Sequence, residues 1–507
     1  MFWRSKKNKS GSISIQVIRK EKGKTILVKT IGSSSNEMEI KLLKQKAVEF
    51  ISTFGGQQAL SLTSISEIAQ VGDFIKSRIS GLKLAGPHLV IGKVFDEIGF
   101  DSLGDNLLKD LVISRIIYPA SKLSTTRFIA DYLSINLDVK KIYRYLDKVH
   151  SDKKDLIQDI SYKHTLKVLD NAIKVVFYDV TTLYFETDNE DDLRKTGFSK
   201  DGKHQHPQIV LGLLVSVNAY PLAYQIFEGN KFEGHTILPI INEFKQKYAI
   251  EKMVVVADSG LMSASNLEEL DKGQYDYIIG ARIKSENKEI KDKIHLLNLA
   301  DGESSIITKD DKNSLIISYS NKRAAKDRHN RSRGLERLEK LIKSGKMTKT
   351  QVNNRGYNKY LKLEGEMQVQ IDYTKYEEDS KWDGLKGYIT NTNLTAQDVI
   401  DNYKHLWKIE KAFRITKGDL RIRPVYHRLP KRIEAHVCIA FTAYKVYKEL
   451  ERQLKIKKSE FSIERFLEII NSIYSIEINH NDSKANIILA QSESQKAALK
   501  LFDIDLG

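Results

Sequence analysis

The sequence has a single cysteine, Cys438, which excludes an intramolecular disulfide and any zinc finger built on paired thiolates. Seven prolines leave no Pro-rich linker to mark a boundary. No apolar run reaches the about 20 residues of a membrane span; Ile209–Val217 is among the longest. The opening stretch MFWRSKKNKSGS is charged but lacks a following apolar core, so it does not read as a secretory signal. These absences predict a cytoplasmic protein with no membrane partner.

What the chain has in excess is positive charge. It carries 82 Lys and Arg against 66 Asp and Glu, a formal net charge of +16. A polyanion is the natural partner of such a surface, with nucleic acid ahead of membrane. The 507 residues, 41% of them hydrophobic, supply a large core and several structural units.

Six segments follow from the patterning. Residues 1–35 predict a β-hairpin, with Ser12–Arg19 and Thr25–Ile31 flanking the turn Glu21–Lys24. Residues 36–170 read as helical: Leu107, Leu108, Leu111, Val112 and Ile116 recur at helical spacing, and Pro119 ends that run. Arg115, Lys122, Arg127, Lys140, Lys141, Arg144 and Lys148 make this segment a candidate DNA-binding region, although solvated helix faces look the same. Residues 171–284 alternate strands (Ile173–Val180, Gln208–Val217, Leu222–Phe227, Met253–Ala257, Tyr275–Ala281) with helices such as His235–Tyr248. That texture predicts an α/β core, a mixed sheet with helices on its faces. Residues 285–375 read as an insertion domain. Within it, Lys322–Lys359 holds thirteen Lys or Arg against three Asp or Glu, a phosphate-contacting surface or a solvated helix pair. Residues 376–455 return to the core, and 456–507 form a C-terminal region rich in lysine and serine.

Three acids carry the chemical signal. Asp179 closes the apolar run Ile173–Val180, Asp258 follows Met253–Ala257, and Glu410 lies in the basic, helix-patterned stretch Asp401–Leu420. Carboxylates gathered at a sheet edge repel unless divalent cations neutralise them. In a chain this basic, that chemistry points to metal-assisted cutting or joining of nucleic acid. Taken singly, each aspartate also reads as a turn former or helix cap. On one continuous helix, Tyr403, Glu410 and Lys417 would recur along a face shared with Arg414, above an apolar stripe of Leu406, Ile409 and Phe413. Glu410 could then hold a metal while Arg414 and Lys417 grip phosphates, or could simply pair with Arg414 on the surface. His204 and His206, with no cysteine nearby, read as exposed imidazoles rather than zinc ligands.

These residues resemble the DDE transposases of bacterial insertion sequences, in the group with a Tyr-x2-Arg-x3-Glu-x6-Lys signature and an insertion before the last acid. Tyr403 to Glu410 reads YKHLWKIE, and Lys417 follows. The first acid lies in Tyr178-Asp179-Val180-Thr181-Thr182 and the second in Ala257-Asp258-Ser259-Gly260. Gly197–Lys200, Gly229-Asn230, Lys381–Gly384, Thr390-Asn391, Arg423-Pro424 and His427 fall in matching blocks, so the likeness spans about residues 90–450. Leu406 stands where the signature has Arg, with Lys404, His405 and Lys408 as neighbouring cations.

The resemblance implies a ribonuclease-H-like fold in which Asp179, Asp258 and Glu410 hold two Mg2+ or Mn2+ ions, Asp179 bridging both. It further implies that Tyr403, Arg414, Lys417 and Arg423 contact DNA phosphates. Cleavage at element ends and strand transfer into target DNA would use this one site, with no covalent enzyme intermediate. The implied partners are double-stranded DNA, as terminal inverted repeats and target, and a second protomer on that DNA; the implied location is the nucleoid. Trp382 and Trp407 are packing residues or base-stacking aromatics. A related nuclease that cuts without joining, and a DNA-binding descendant without catalysis, are the alternative readings.

Overall fold

The structure, a computed structural model, describes residues 1–54, 72, 79–200, 202–261, 263–345, 347–348, 350, 352–364, 368–480 and 483–505. Two compact units divide it: Met1–Ser80 with Ile478–Ala485, and Gly81–Glu477 with Asn486–Gly507. This division is coarser than the six sequence segments and leaves their functional boundaries open.

In the first unit, the expected hairpin is the pair β2 (Ile13–Glu21) and β3 (Lys24–Ser34). Gly23 takes a φ of 78° in its turn, where a side chain would be strained. A further strand, β1 (Phe2–Lys7), pairs with β2 and had no sequence signal, because every one of its side chains is exposed and no alternation develops. Ile15 and Val17 of β2 are buried against Ala47, Leu43 and Phe50 of the helix Glu37–Thr53.

β4 (Ile79–Leu84) leads to five helices: Gly86–Ile98, Asn106–Ile117, Lys122–Leu133, Val139–Asp152 and Lys154–Val168. They share one core with the long helix Pro430–Ile456, which is buried along most of its length. Asp105 and Ser121 start two of these helices by accepting from the amides of Leu108 and Ser124.

The second unit is organised by an eight-stranded mixed sheet in the order β10-β11-β14-β9-β8-β5-β6-β7. Its strands are β5 (Val175–Tyr184), β6 (Gln208–Ser216), β7 (Pro221–Glu228), β8 (Val254–Ala257), β9 (Asp276–Ala281), β10 (Ser304–Thr308), β11 (Ser314–Tyr319) and β14 (Leu385–Thr390). The β5–β8 and β8–β9 pairs are parallel, and the other neighbours run antiparallel. Both faces are covered, which is why β6 is apolar and buried throughout. Val176, Tyr178 and Val180 pack beside Ile240 and Phe244 of the helix Ile237–Tyr248. Phe177, on the opposite face, shares a core with Ile409, Phe413 and Val437.

The segment read as an insertion is narrower in the fold. β10 and β11 extend the main sheet, since Leu315, Ile316 and Ile317 are buried there. The excursion between β11 and β14 comprises the helix Asn321–Lys343, the hairpin of β12 (Leu361–Glu364) with β13 (Gln368–Ile371), and the helix Tyr373–Ser380. It has its own small core around Leu338, Tyr360 and Leu361. Buried Arg331 ties it to Asp383 at the start of β14. Lys284, Lys359 and Tyr360 all donate to Asp379, which holds that carboxyl below its ordinary range despite the opposing cost of burial. Among the described residues, no helix is long and apolar enough to cross a membrane.

Candidate active site

β5 and β8 run side by side in register, and the last paired residues are Phe177 and Val256. Two residues further along stand Asp179, within β5, and Asp258, just past the end of β8. A two-residue period puts Asp179 on the Phe177 face of the sheet, the face that carries the Glu410 helix. Parallel pairing thus brings together two acids almost eighty positions apart in the chain.

The surroundings of Asp179 are tightly specified. Its Oδ1 accepts from the Val180 amide at 2.7 Å and lies 3.5 Å from the Lys200 ammonium. Lys200 also donates to the Val180 carbonyl at 2.7 Å and pairs with Glu233 at 3.2 Å. Burial pushes the Asp179 carboxyl up to about 6; the charges of Asp258 and Glu233 add to that rise, while Lys200 and the Val180 amide oppose it. Lys200, although burial works against its charge, is held above its ordinary range by Asp179, Glu233 and Asp258.

Asp258 opens a short 3-10 turn, Ser259–Leu261, and accepts from the Gly260 amide at 2.7 Å. A methyl group at Gly260 would lie 3.0 Å from Asp258 Oδ1 and 3.5 Å from Glu233 Oε2, so a glycine keeps these two carboxylates close. Glu233 is therefore a fourth acid at this site. Neither it nor Lys200 stood out in the sequence: Glu233 opens a three-residue 3-10 turn and Lys200 lies in a loop, and no periodicity ties either to a strand acid. Lys200 did fall inside a matched motif, which was the one available signal.

The stretch around Glu410 differs from expectation. It is two helices, Ala396–Lys404 and Trp407–Lys417, rather than one. Between them the amides of His405, Leu406, Lys408 and Ile409 bond three residues back instead of four. Tyr403 and Glu410 consequently do not line one helix face: Tyr403 is buried and Glu410 exposed. The apolar stripe of Leu406, Ile409 and Phe413 is buried as expected. Leu406 lies in the core, where an arginine would bury a charge.

Tyr403 links the two halves of the site. Its hydroxyl lies against Gly280, where an added methyl would come within 2.5 Å. Burial, then the nearby Asp258, Tyr388 and Glu410, push that hydroxyl above its usual range. Lys386 of β14 places its ammonium 4.4 Å from the Tyr403 ring centre. Burial and Arg323 hold Lys386 below the ordinary lysine range, and Glu410 opposes them. Lys386 thus stands near both Glu410 and Tyr403, and Arg323 also acts on Tyr403.

The remaining candidates are spread out. Arg414 is exposed on the Glu410 helix and Lys417 is half-buried in its last turn. Arg423 lines a different cleft, together with Arg115 and Lys122. Trp382 is a packing residue, edge-on to His295 at 4.3 Å in the core of Ile283 and Ile290, whereas Trp407 is exposed. His204 accepts from the Ser199 amide. As placed, no three acidic, imidazole or thiol groups among the described residues stand close enough to hold a metal ion. Asp179 feels the charge of Asp258, and Tyr403 feels those of both Asp258 and Glu410.

A family model described as a transposase DDE domain matches residues 170–445, a span that contains all three acids. The chain is similar to the cryo-EM structure of a piggyBac transposase synaptic complex with hairpin DNA, at 10% identity and a TM-score of 0.39, over 71% of this chain and 68% of that one. It is also similar to the Mos1 transposase paired-end complex with the left transposon end, at 10% identity and a TM-score of 0.16, over 47% and 74% of the two chains. No curated protein sequence matches.

Proposed function

The chain belongs to the transposase DDE-domain family, and we propose that it is the transposase of an insertion sequence, binding the element's terminal inverted repeats and catalysing metal-dependent DNA cleavage and strand transfer. The observation that carries this reading is the juxtaposition of Asp179 and Asp258 on parallel neighbours, beneath the sheet face that bears the Glu410 helix. The strand run β7-β6-β5-β8-β9 supports a ribonuclease-H-like core. Its first strand in the chain lies centrally, with two antiparallel strands on one side and two parallel ones on the other.

The donors suit Mg2+ or Mn2+, which prefer hard carboxylate oxygens. Desolvated Asp179 beside Asp258 and Glu233 is surplus negative charge that Lys200 offsets here. Asp179, Asp258 and Glu410 would hold two ions, which when bound supply an activated water or DNA 3′-hydroxyl and a counter-charge for the leaving oxygen. Asp179 is fixed in the middle of a strand. Glu410 sits in the first turn after the 3-10-tightened junction at His405–Leu406, and it would have to close toward the aspartates to share their ions. Tyr403 and Lys386 meet a scissile-strand phosphate as it approaches the acids. Arg414 and Lys417 continue that line of charge, and Arg423 holds a phosphate farther along.

The helical region before β5 and the basic excursion between β11 and β14 supply further backbone contacts, and the joining of two element ends calls for two protomers on DNA. Incubating the protein with labelled element-end DNA, target DNA and Mg2+ tests the reading. Strand-transfer products are expected. Cleavage without joining would make the protein a nuclease, and binding without cleavage a DNA-binding descendant.

A further inference from the structure

Away from the acids, a cleft of about 540 Å³ opens between the start of the helix Lys122–Leu133 and the loop after the Glu410 helix. Four of its walls are cationic: Arg115, Lys122, Arg421 and Arg423. Among the described residues, no carboxylate lines it. Arg115 and Lys122 are 5% and 6% exposed, so their charges are withdrawn from bulk water. Among the described residues, Arg115 donates to the carbonyls of Leu420 and Arg421, both at 3.4 Å, and no carboxylate pairs with it or with Lys122. Asp147, one helical turn from the lining residue Tyr143, is already taken by Arg432 in a two-pronged pair at 2.7 and 2.9 Å.

Two buried cations, the second of them depressed by the charge of the first, are costly to fold when no described anion compensates them. Burial lowers the Arg115 guanidinium to about 10, and burial with Arg115 lowers the Lys122 ammonium well below its usual range. The same uncompensated field, after burial itself, pushes His427 down to about 4 and also depresses His436. Around these cations, Ser121 and Ser124 place hydroxyls and a helix N-terminus at the cleft, and Tyr426 offers an exposed ring.

We propose that this cleft is a second phosphate site, in which Arg115 and Lys122 clamp a backbone phosphate of the DNA strand that runs on from the acids. The proposal rests on the reading of the chain as a DNA-processing enzyme. The position of the cleft supplies the choice of ligand. The Val425 amide bonds to the Tyr184 carbonyl, which ties the cleft loop to β5 five residues beyond Asp179. Five residues of strand are roughly 17 Å, about the axial run of five phosphates on one duplex strand. A DNA strand that followed β5 from Asp179 would pass within reach of the cleft. A bound phosphate would supply the counter-charge that the fold leaves out.

The test uses the full-length protein and its Lys122→Gln and Lys122→Arg variants, without divalent metal. In buffers of equal ionic strength, inorganic phosphate in place of chloride should raise the Tm of wild type and Lys122→Arg by at least about 2 °C and leave Lys122→Gln unmoved. Lys122→Gln in chloride should be at least as stable as wild type, because it removes an uncompensated buried charge. On duplex DNA, Lys122→Gln should bind about tenfold more weakly, with the slope of log affinity against log salt shallower by about 1. Equal phosphate protection of all three proteins would overturn the site. Protection confined to wild type and Lys122→Arg with unchanged DNA affinity and slope would mark a free-phosphate site and overturn the assignment to DNA. Both readouts are made without cleavage, so their outcome is separate from that of the acid-site reading.

Discussion

Asp179 on β5 and Asp258, the residue just after β8, each lie two residues beyond the last paired rung of these parallel neighbours, Phe177 with Val256. Neither acid reached this place through a local motif. The placement comes from the crossover through the helix Ile237–Tyr248, which returns the chain parallel to β5. In this arrangement the ammonium of Lys200 serves as the cation of the site, 3.5 Å from Asp179 and 3.2 Å from Glu233.

A divalent ion and Lys200 compete for the same carboxylate. Lys200→Ala should tighten Mg2+ or Mn2+ binding by about tenfold, because a like charge is removed from the ion's neighbourhood. It should also lower stability in metal-free buffer. Isothermal titration with Mn2+ and thermal melts in EDTA read the two effects. Weaker Mn2+ binding in the variant would show that Lys200 supports the ion rather than displacing it.

The contact between Gly280 and Tyr403 is a steric one that a double-mutant cycle can isolate. Gly280→Ala puts a methyl 2.5 Å from the Tyr403 hydroxyl and should cost about 1–3 kcal/mol in denaturant unfolding. Tyr403→Phe removes the atom that is struck, so the double variant should recover most of that loss. Additive costs in the double variant would mean that the hydroxyl is not what limits residue size at Gly280.

Leu406 is buried where the family signature has Arg, and Lys386 stands beside Tyr403 and Glu410. Leu406→Arg buries a charge in the core and should destabilise the protein by about 3 kcal/mol or more without raising activity. Lys386→Gln, by contrast, should leave the fold stable and slow DNA cleavage by about 10–100-fold, as expected for a cation lost beside developing phosphate charge. A stable and more active Leu406→Arg protein would reverse this assignment.

The exposed face of the helix Asn321–Lys343 carries Lys326, Arg333 and Arg337. Changing all three to Gln should shallow the salt dependence of DNA binding by about 2–3 on the log–log slope. The wild-type protein should lose at least about a thousandfold in affinity between 50 and 200 mM salt. An unchanged slope in the triple variant would make this helix a solvated surface.

Much of this fold was legible because burial imposes period. β5, β6 and β8 are apolar runs bounded by turn residues, and the stripe Leu406, Ile409, Phe413 marked the buried side of the Glu410 helix correctly. Where burial imposes no period, the sequence was silent. β1 is exposed along its whole length, and Lys200, in a loop, and Glu233, in a short 3-10 turn, have neighbours set by tertiary contact. The break at His405–Leu406 was hidden because helical spacing persists across a junction that merely tightens its hydrogen bonds. β10 and β11 were assigned to the excursion because basic residues follow them, although their own apolar side chains build the sheet edge. The cationic cleft joins positions about three hundred residues apart, and no local pattern signals it.

The most direct test of the central claim is Mg2+-dependent cleavage of labelled element-end DNA by Asp179→Asn, Asp258→Asn and Glu410→Gln, alongside their DNA affinity. Each variant should lose at least about a thousandfold in cleavage rate while binding DNA within about threefold of wild type. Near-normal cleavage by any one of them would remove that residue from the metal site and contradict the three-carboxylate assignment.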